Sequence, residues 1–334
     1  MPEPEPPSAP AQPSQPTDER SEVAGGGEGD LPRGIERSEV AGGGEGGLPR
    51  GIEHDCRIPA VDGLLLGATT FEPAGAGERK AIVIASATGV PRERYRPFAR
   101  FLAQHGWSVV TFDYRGIGDS RTGRLKSLDH TMYEWGAKDI AGVISWIDQT
   151  WSPTSIAAVT HSIGGQVLPF APNHGRLGGL LAIGSQKGYW RLWSGFGSLL
   201  CLMFFRAIPL VVRLLGYLPM RFAGCEDLPP KAALEWSRWG LHHDFVDREG
   251  RSLNDHHAAF AAPILALSFA DDPYAPPRAV DKLLEFYRSA PREHRHFQPA
   301  QLGVKAIGHS GFFAGPASQP LWQEASRWLA HTVR

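Results

Sequence analysis

Charge of one sign is what this chain most lacks, with 34 basic residues against 35 acidic ones over 334 positions. A protein that neutralises nucleic-acid phosphates carries a basic stripe, and this one has none, so nucleic acid is excluded as a partner. Cysteine is scarce as well. Cys56, Cys201 and Cys225 are odd in number and share no close spacing. That excludes a disulfide framework and reads as packing thiols in a reducing compartment. No charged start runs into an apolar core and a cleavage site, so export is not expected and the expected localisation is cytoplasmic. Long hydrophobic runs are short of what a membrane needs. The apolar stretch Trp193 to Phe205 stops at Arg206 after 13 residues, and Pro209 and Arg213 follow, so no transmembrane span is expected.

Glycine and proline, in contrast, are concentrated at the start. The segment Glu19 to Ile35 recurs as Glu36 to Ile52 with a single difference, Asp30 becoming Gly47. Two copies are too few for a solenoid, and Gly- and Pro-rich chain cannot offset its ordering entropy. Residues 1–54 are therefore expected to be a disordered tail, a duplicated spacer. The remainder, with 42% hydrophobic residues over the whole chain, is long enough to bury one large core. From Cys56 onward an antiparallel hairpin gives way to alternating strands and helices. This is the pattern of an α/β domain with a mostly parallel sheet covered on both faces. Met132, Trp135, Ile140, Val143, Ile144 and Ile147 keep helical spacing and read as core.

Three polar residues stand where strands should end. Ser155 to Thr160 is a short β-prone run, and Val159-Thr-His-Ser-Ile-Gly-Gly-Gln166 turns it into a helix with Ser162 at the bend. Such a turn strains the apex and needs small neighbours, which Gly164 and Gly165 supply. The pattern G-x-S-x-G has its first glycine replaced by Thr160, a β-branched residue that crowds the turn. Downstream, the strand Pro263 to Phe269 ends in Ala-Asp271-Asp272-Pro, and the run Val304-Lys-Ala-Ile-Gly reads as another short strand leading to His309. Serine, aspartate and histidine in this order are the nucleophile, the orienting acid and the base of one serine-hydrolase arrangement. Asp272, directly before Pro273, is preferred as the acid, while Asp271 faces solvent or caps the loop. His161 is expected to pack beneath the turn. Two backbone amides should hold the oxyanion: Ile163, next to the nucleophile, and Val90, freed by the turn at Gly89 after the strand Ala81 to Ser86.

With Asp113-Tyr-Arg-Gly, Ala-Thr-Gly-Val90 and the motifs around Ser162, Asp272 and His309, the chain resembles the α/β-hydrolase superfamily over about residues 56 to 334. More narrowly it resembles bacterial serine esterase-like proteins with a Trp-rich insert. The resemblance implies an α/β-hydrolase fold for residues 55–334, with a helical cap at about 188–251, and a catalytic triad with an oxyanion hole. It further implies hydrolysis of a small-molecule acyl substrate: a carboxylic ester, with thioester, amide and lactone open to the same attack. Acyl transfer by the same triad and a non-catalytic member of the fold are the other readings. No cofactor is implied. No metal site is expected either, because neighbouring histidines in His242-His-Asp244 and Asp255-His-His257 should diverge and lack a third spaced ligand. The cap aromatics either seal the lid to the core or line an acyl pocket, and contact with lipid is the lesser alternative for the apolar run.

Overall fold

The computed structural model describes residues 51–75 and 79–333. The proposed tail therefore lies outside the described residues, except at its end. There the first strand, β1 (Ile52–Pro59), already begins at Ile52, paired with Glu72 of β2 (Leu65–Glu72). The ordered domain thus starts inside the stretch assigned to the tail, because the last residue of the second repeat finds a strand partner. The next elements are β3 (Lys80–Ala85), α1 (Arg96–Gln104) and β4 (Trp107–Phe112). Then follow α2 (Met132–Glu134), a π-helical segment (Trp135–Ile140), α3 (Ala141–Trp151), β5 (Ser155–His161) and α4 (Gly164–Val167). After β6 (Leu177–Ile183) come α5 (Gly195–Leu215), α6 (Pro230–Leu241) and α7 (Asn254–Ala259). The chain closes with β7 (Ile264–Phe269), α8 (Pro277–Phe286), β8 (Arg292–Phe297) and α9 (Ser318–Thr332).

Eight strands form one sheet in the order β1-β2-β4-β3-β5-β6-β7-β8. β1, β2 and β4 pair antiparallel, and every pairing from β4 onward is parallel. Parallel strands must be covered on both faces, and alternation along them divides the core in two. Ala81, Val83 and Ala85 of β3 join Val143, Ile144 and Ile147 of α3 on one side. Ile82 and Ile84 join Phe98 and Leu102 of α1 and Leu321 and Leu329 of α9 on the other. Truncating one of these fully buried leucines or isoleucines to alanine should cost about 2–5 kcal/mol. Thr131 starts the helical stretch expected from periodicity through a reciprocal cap with Glu134.

Two expectations are corrected. Residues 303–308 form no strand before His309, and the last strand among the described residues is β8, whose charged sequence Arg-Glu-His-Arg-His-Phe carries no apolar signal. β8 sits at the sheet edge, paired only with β7, so it has no need of the apolar run that marks a doubly covered strand. The apolar run expected to end at Arg206 continues instead as a single 21-residue helix, α5, through Arg206, Pro209 and Arg213. By length and composition it would suffice to cross a membrane, yet one face is committed to protein. Pro209 cannot bond to the carbonyl of Phe205 four residues earlier, and Ser237 Oγ of α6 donates to that carbonyl at 2.7 Å. Gly240 leaves the space the Phe205 ring occupies, where a Cβ would stand 2.4 Å from it.

Candidate active site

β5 delivers Ser162 to the C-terminal edge of the sheet, the usual ligand side of a parallel α/β layer. Ser162 has φ +52, one of two non-glycine residues with positive φ among those described. A left-handed serine costs on the order of 1–3 kcal/mol unless its surroundings enforce it. Here Ser162 N–H donates to Ile183 O at 3.0 Å, and Gly165 N–H donates to Ser162 O at 3.2 Å. Thr160, in the place of the usual glycine, is tolerated because Gly164 has no side chain. A Cβ on Gly164 would lie 2.6 Å from Ala85 O and 3.2 Å from the Thr160 Cβ. Thr160 Oγ1 also meets Ser185 Oγ at 3.3 Å.

Asp272 follows β7 and is fully determined by its contacts. Its Oδ1 accepts from Tyr274 N–H at 2.8 Å and Ala275 N–H at 3.2 Å, and its Oδ2 lies 2.7 Å from His309 Nδ1. Asp271 caps rather than orients: its Oδ2 accepts from Ile307 N–H at 2.8 Å, fixing the loop that carries His309. Gly184, directly after the residue that holds the Ser162 amide, makes room for the His309–Asp272 pair. A Cβ there would stand 3.2 Å from His309 Nδ1 and 3.4 Å from Asp272 Oδ2. Among the described residues the Ser162 hydroxyl and His309 Nε2 have no hydrogen-bond partner, so the hydroxyl is free to turn toward the ring.

The loop expected to help hold an oxyanion differs from expectation. Val90 N–H is not free: it donates to Ala87 O at 3.1 Å and closes a turn. Ala87 N–H is held by Tyr95 Oη at 2.8 Å. Between them, the amides of Thr88 and Gly89 have no partner among the described residues, nor does the Ile163 amide. Gly89 faces the cap, its carbonyl accepting from Glu226 N–H at 2.7 Å, while the Glu226 carboxylate accepts from Gly118 N–H at 3.0 Å. Trp193 Nε1 likewise donates to Pro273 O at 2.8 Å. The insert is thus fastened to the loops bearing Gly89 and Asp272, and Ser162 is only 8% exposed.

Sequence reasoning missed a relay beneath the site. Tyr95 O–H donates to His161 Nδ1 at 2.9 Å, and His161 Nε2–H donates to His309 O at 3.0 Å. Burial holds His161 well below the ordinary histidine range, the nearby His309 adding to the effect. The ring therefore stays neutral, with one donor and one acceptor nitrogen as the relay requires. The expectation that His161 packs beneath the turn describes its place, and the hydrogen bonds add a task. The only signal in sequence was a tyrosine in an aromatic-rich helix and a histidine beside the serine. Neither spacing nor type reveals that they meet.

The adjacent histidines of the cap do not diverge, contrary to expectation. His242 and His243 stack with ring centroids 4.5 Å apart, and His243 Nε2 lies 2.9 Å from Asp244 Oδ2. Their turn breaks helical geometry after α6, which removes the angular argument. His242 Nδ1 is already occupied, accepting from Asp244 N–H at 3.1 Å. His257 is buried against Phe245 in a parallel stack, and burial pushes its imidazole down to about 3.

The sheet order and the cap insertion define the α/β-hydrolase fold, and the chain resembles esterases of that superfamily. A family described as serine aminopeptidase, S33, has a model that matches residues 76–180 of the chain. Among solved structures, a soluble variant of monoglyceride lipase from Saccharomyces cerevisiae superposes with a TM-score of 0.65 at 14% identity, covering 87% of this chain and 98% of that one. An esterase from Pyrococcus furiosus superposes with a TM-score of 0.57 at 14% identity, covering 88% and 95%. A thermophilic esterase from Thermogutta terrifontis gives 0.55 at 18% identity, covering 84% and 99%. No curated protein sequence matches the chain.

Proposed function

We propose that the chain hydrolyses carboxylic esters through an acyl-enzyme on Ser162. Ser162 Oγ attacks the ester carbonyl while its proton passes to His309 Nε2, and Asp272 holds the Nδ1–H tautomer and the imidazolium that forms. Collapse of the tetrahedral intermediate expels the alcohol, which takes the proton from His309. Water then attacks the acyl group by the same route in reverse. The Ile163 amide and that of Thr88 hold the oxyanion. Thr88 replaces the Val90 amide, which is already bonded, and it lies near the end of β3, the sheet neighbour of β5. Each such donor contributes about 2.7–4 kcal/mol to the transition state.

The observation that carries this reading is the left-handed Ser162 at the end of β5, together with an imidazole, that of His309, already bonded to a buried carboxylate. The esterase names among the fold's relatives support the ester as the bond attacked. The test is labelling by a fluorophosphonate probe together with turnover of chromogenic esters of increasing chain length. Both should vanish in Ser162→Ala while the fold persists. Labelling that survives the substitution would refute the nucleophile. Turnover of aminoacyl anilides in preference to esters would shift the substrate to amides, and ester products formed with an added alcohol would indicate acyl transfer.

A further inference from the structure

Among the described residues, the outward face of α5 has no protein partner. Phe196, Leu199, Leu200, Met203, Leu210 and Leu214 are between 50% and 72% exposed. Around the adjacent pair Leu199 and Leu200 they lie three, four and seven residues apart, so they form one stripe along a helix about 30 Å long. The opposite face carries Phe205, Ile208 and Val212, which are buried against the domain. Such a patch is larger than scattered surface leucines account for. Two arginines, Arg206 and Arg213, lie one heptad apart on the same flank of the stripe, exposed and without a carboxylate within 4 Å among the described residues. The helix contains no Asp or Glu.

We infer that this face docks on an anionic lipid surface, with α5 lying in the plane of the headgroups. Charge decides the occupant. A second copy apposed through the same face would bring arginines and apolar groups but no acid to meet them. An anionic headgroup layer supplies the charge for Arg206 and Arg213 and the acyl boundary for the stripe. The helix does not cross the bilayer, because Ser237 and Gly240 of α6 hold its inner face through Phe205. The indole of Trp193, just before α5, is bonded to Pro273 beside Asp272, so the docked face adjoins the loop of the candidate site.

The full chain is sedimented with vesicles of phosphatidylcholine alone and of phosphatidylcholine mixed with phosphatidylserine. Binding is expected to the mixed vesicles and to weaken as salt rises. The pair Leu199→Glu and Leu210→Glu should lower it at least tenfold, and Arg206→Gln or Arg213→Gln about fivefold each. A melting curve checks that each variant is folded. Hydrolysis of a water-soluble short-chain ester is read in parallel, so a failure of the proposed chemistry and a failure of docking remain separate results. No binding to either vesicle, or binding that ignores the leucines, would overturn the inference. So would a dimer in solution that Leu199→Glu dissociates, because a second copy would then cover the stripe.

Discussion

The described residues hold a second serine–histidine–aspartate set, and it is this one, away from Ser162, that hydrogen bonds link from end to end. Ser268 Oγ lies 2.7 Å from His294 Nε2, and His294 Nδ1 lies 2.7 Å from Asp281 Oδ1. His296 Nδ1 meets the same hydroxyl at 2.8 Å. Yet Ser268 sits inside β7 with no exposed surface, in extended pairing opposite His296. The Ser162 hydroxyl has no hydrogen-bond partner among the described residues, but it stands on a left-handed turn, next to the Ile163 amide, which has none there either. A proton relay is therefore easily assembled from common residues. What separates the two is the backbone around the serine: Ser162 stands on a left-handed turn beside an amide with no partner among the described residues, whereas Ser268 lies in extended chain inside a strand.

Substitutions can break that comparison. Ser162→Ala and His309→Ala should each reduce kcat on an ester by about ten-thousand-fold or more, and Asp272→Asn by about ten-thousand-fold through the wrong imidazole tautomer. Comparable losses in Ser268→Ala would overturn the assignment. Gly184→Ala adds a methyl against His309 and Asp272, and displacing the ring by a fraction of an ångström should lower kcat by about 10- to 100-fold with little change in KM.

Finer experiments sharpen it. Tyr95→Phe leaves the Ala87 amide and His161 Nδ1 without a partner, so it should cost about 1–3 kcal/mol of stability in a denaturant titration. Because both loops of the site hang from that relay, kcat should fall about tenfold as well. Ser268→Ala should cost about 1 kcal/mol and leave kcat within about twofold of wild type. The smallest effect is on pH dependence. His161 has a depressed folded value, so its contribution is present above the ordinary histidine range and is lost as pH falls through the folded value. Wild-type melting temperature should fall as pH drops below about 6.5. His161→Gln should flatten that fall, and an unchanged slope would show that the ring is not held neutral.

Legibility in the sequence followed the range of the forces involved. The strand around Ser162, the paired aspartates after β7 and the histidine on its glycine-flanked loop could be read because each is a local pattern of apolar run and breaker. β8 could not, since an edge strand needs no apolar alternation. The length of α5 was misjudged because Arg206 and Pro209 are usual helix and span breakers. Here a serine on another helix supplies the hydrogen bond that proline leaves unmade. Val90 was misjudged for a related reason: glycine predicts a turn, but not which amide the turn consumes.

The sequence by itself determined the class of fold, the order of the three candidate residues and the strained turn that carries Ser162. These depend on periodicity and on the steric needs of single positions, which neighbours along the chain dictate. Only the tertiary structure decided that Ser268 is enclosed within β7, which amides lack a partner among the described residues, and that Tyr95 and His161 tie the loops together. It alone decided that α5 turns an apolar face outward. Those are properties of contacts between segments far apart in the chain, where burial and hydrogen-bond partners are assigned by packing and leave no periodic trace.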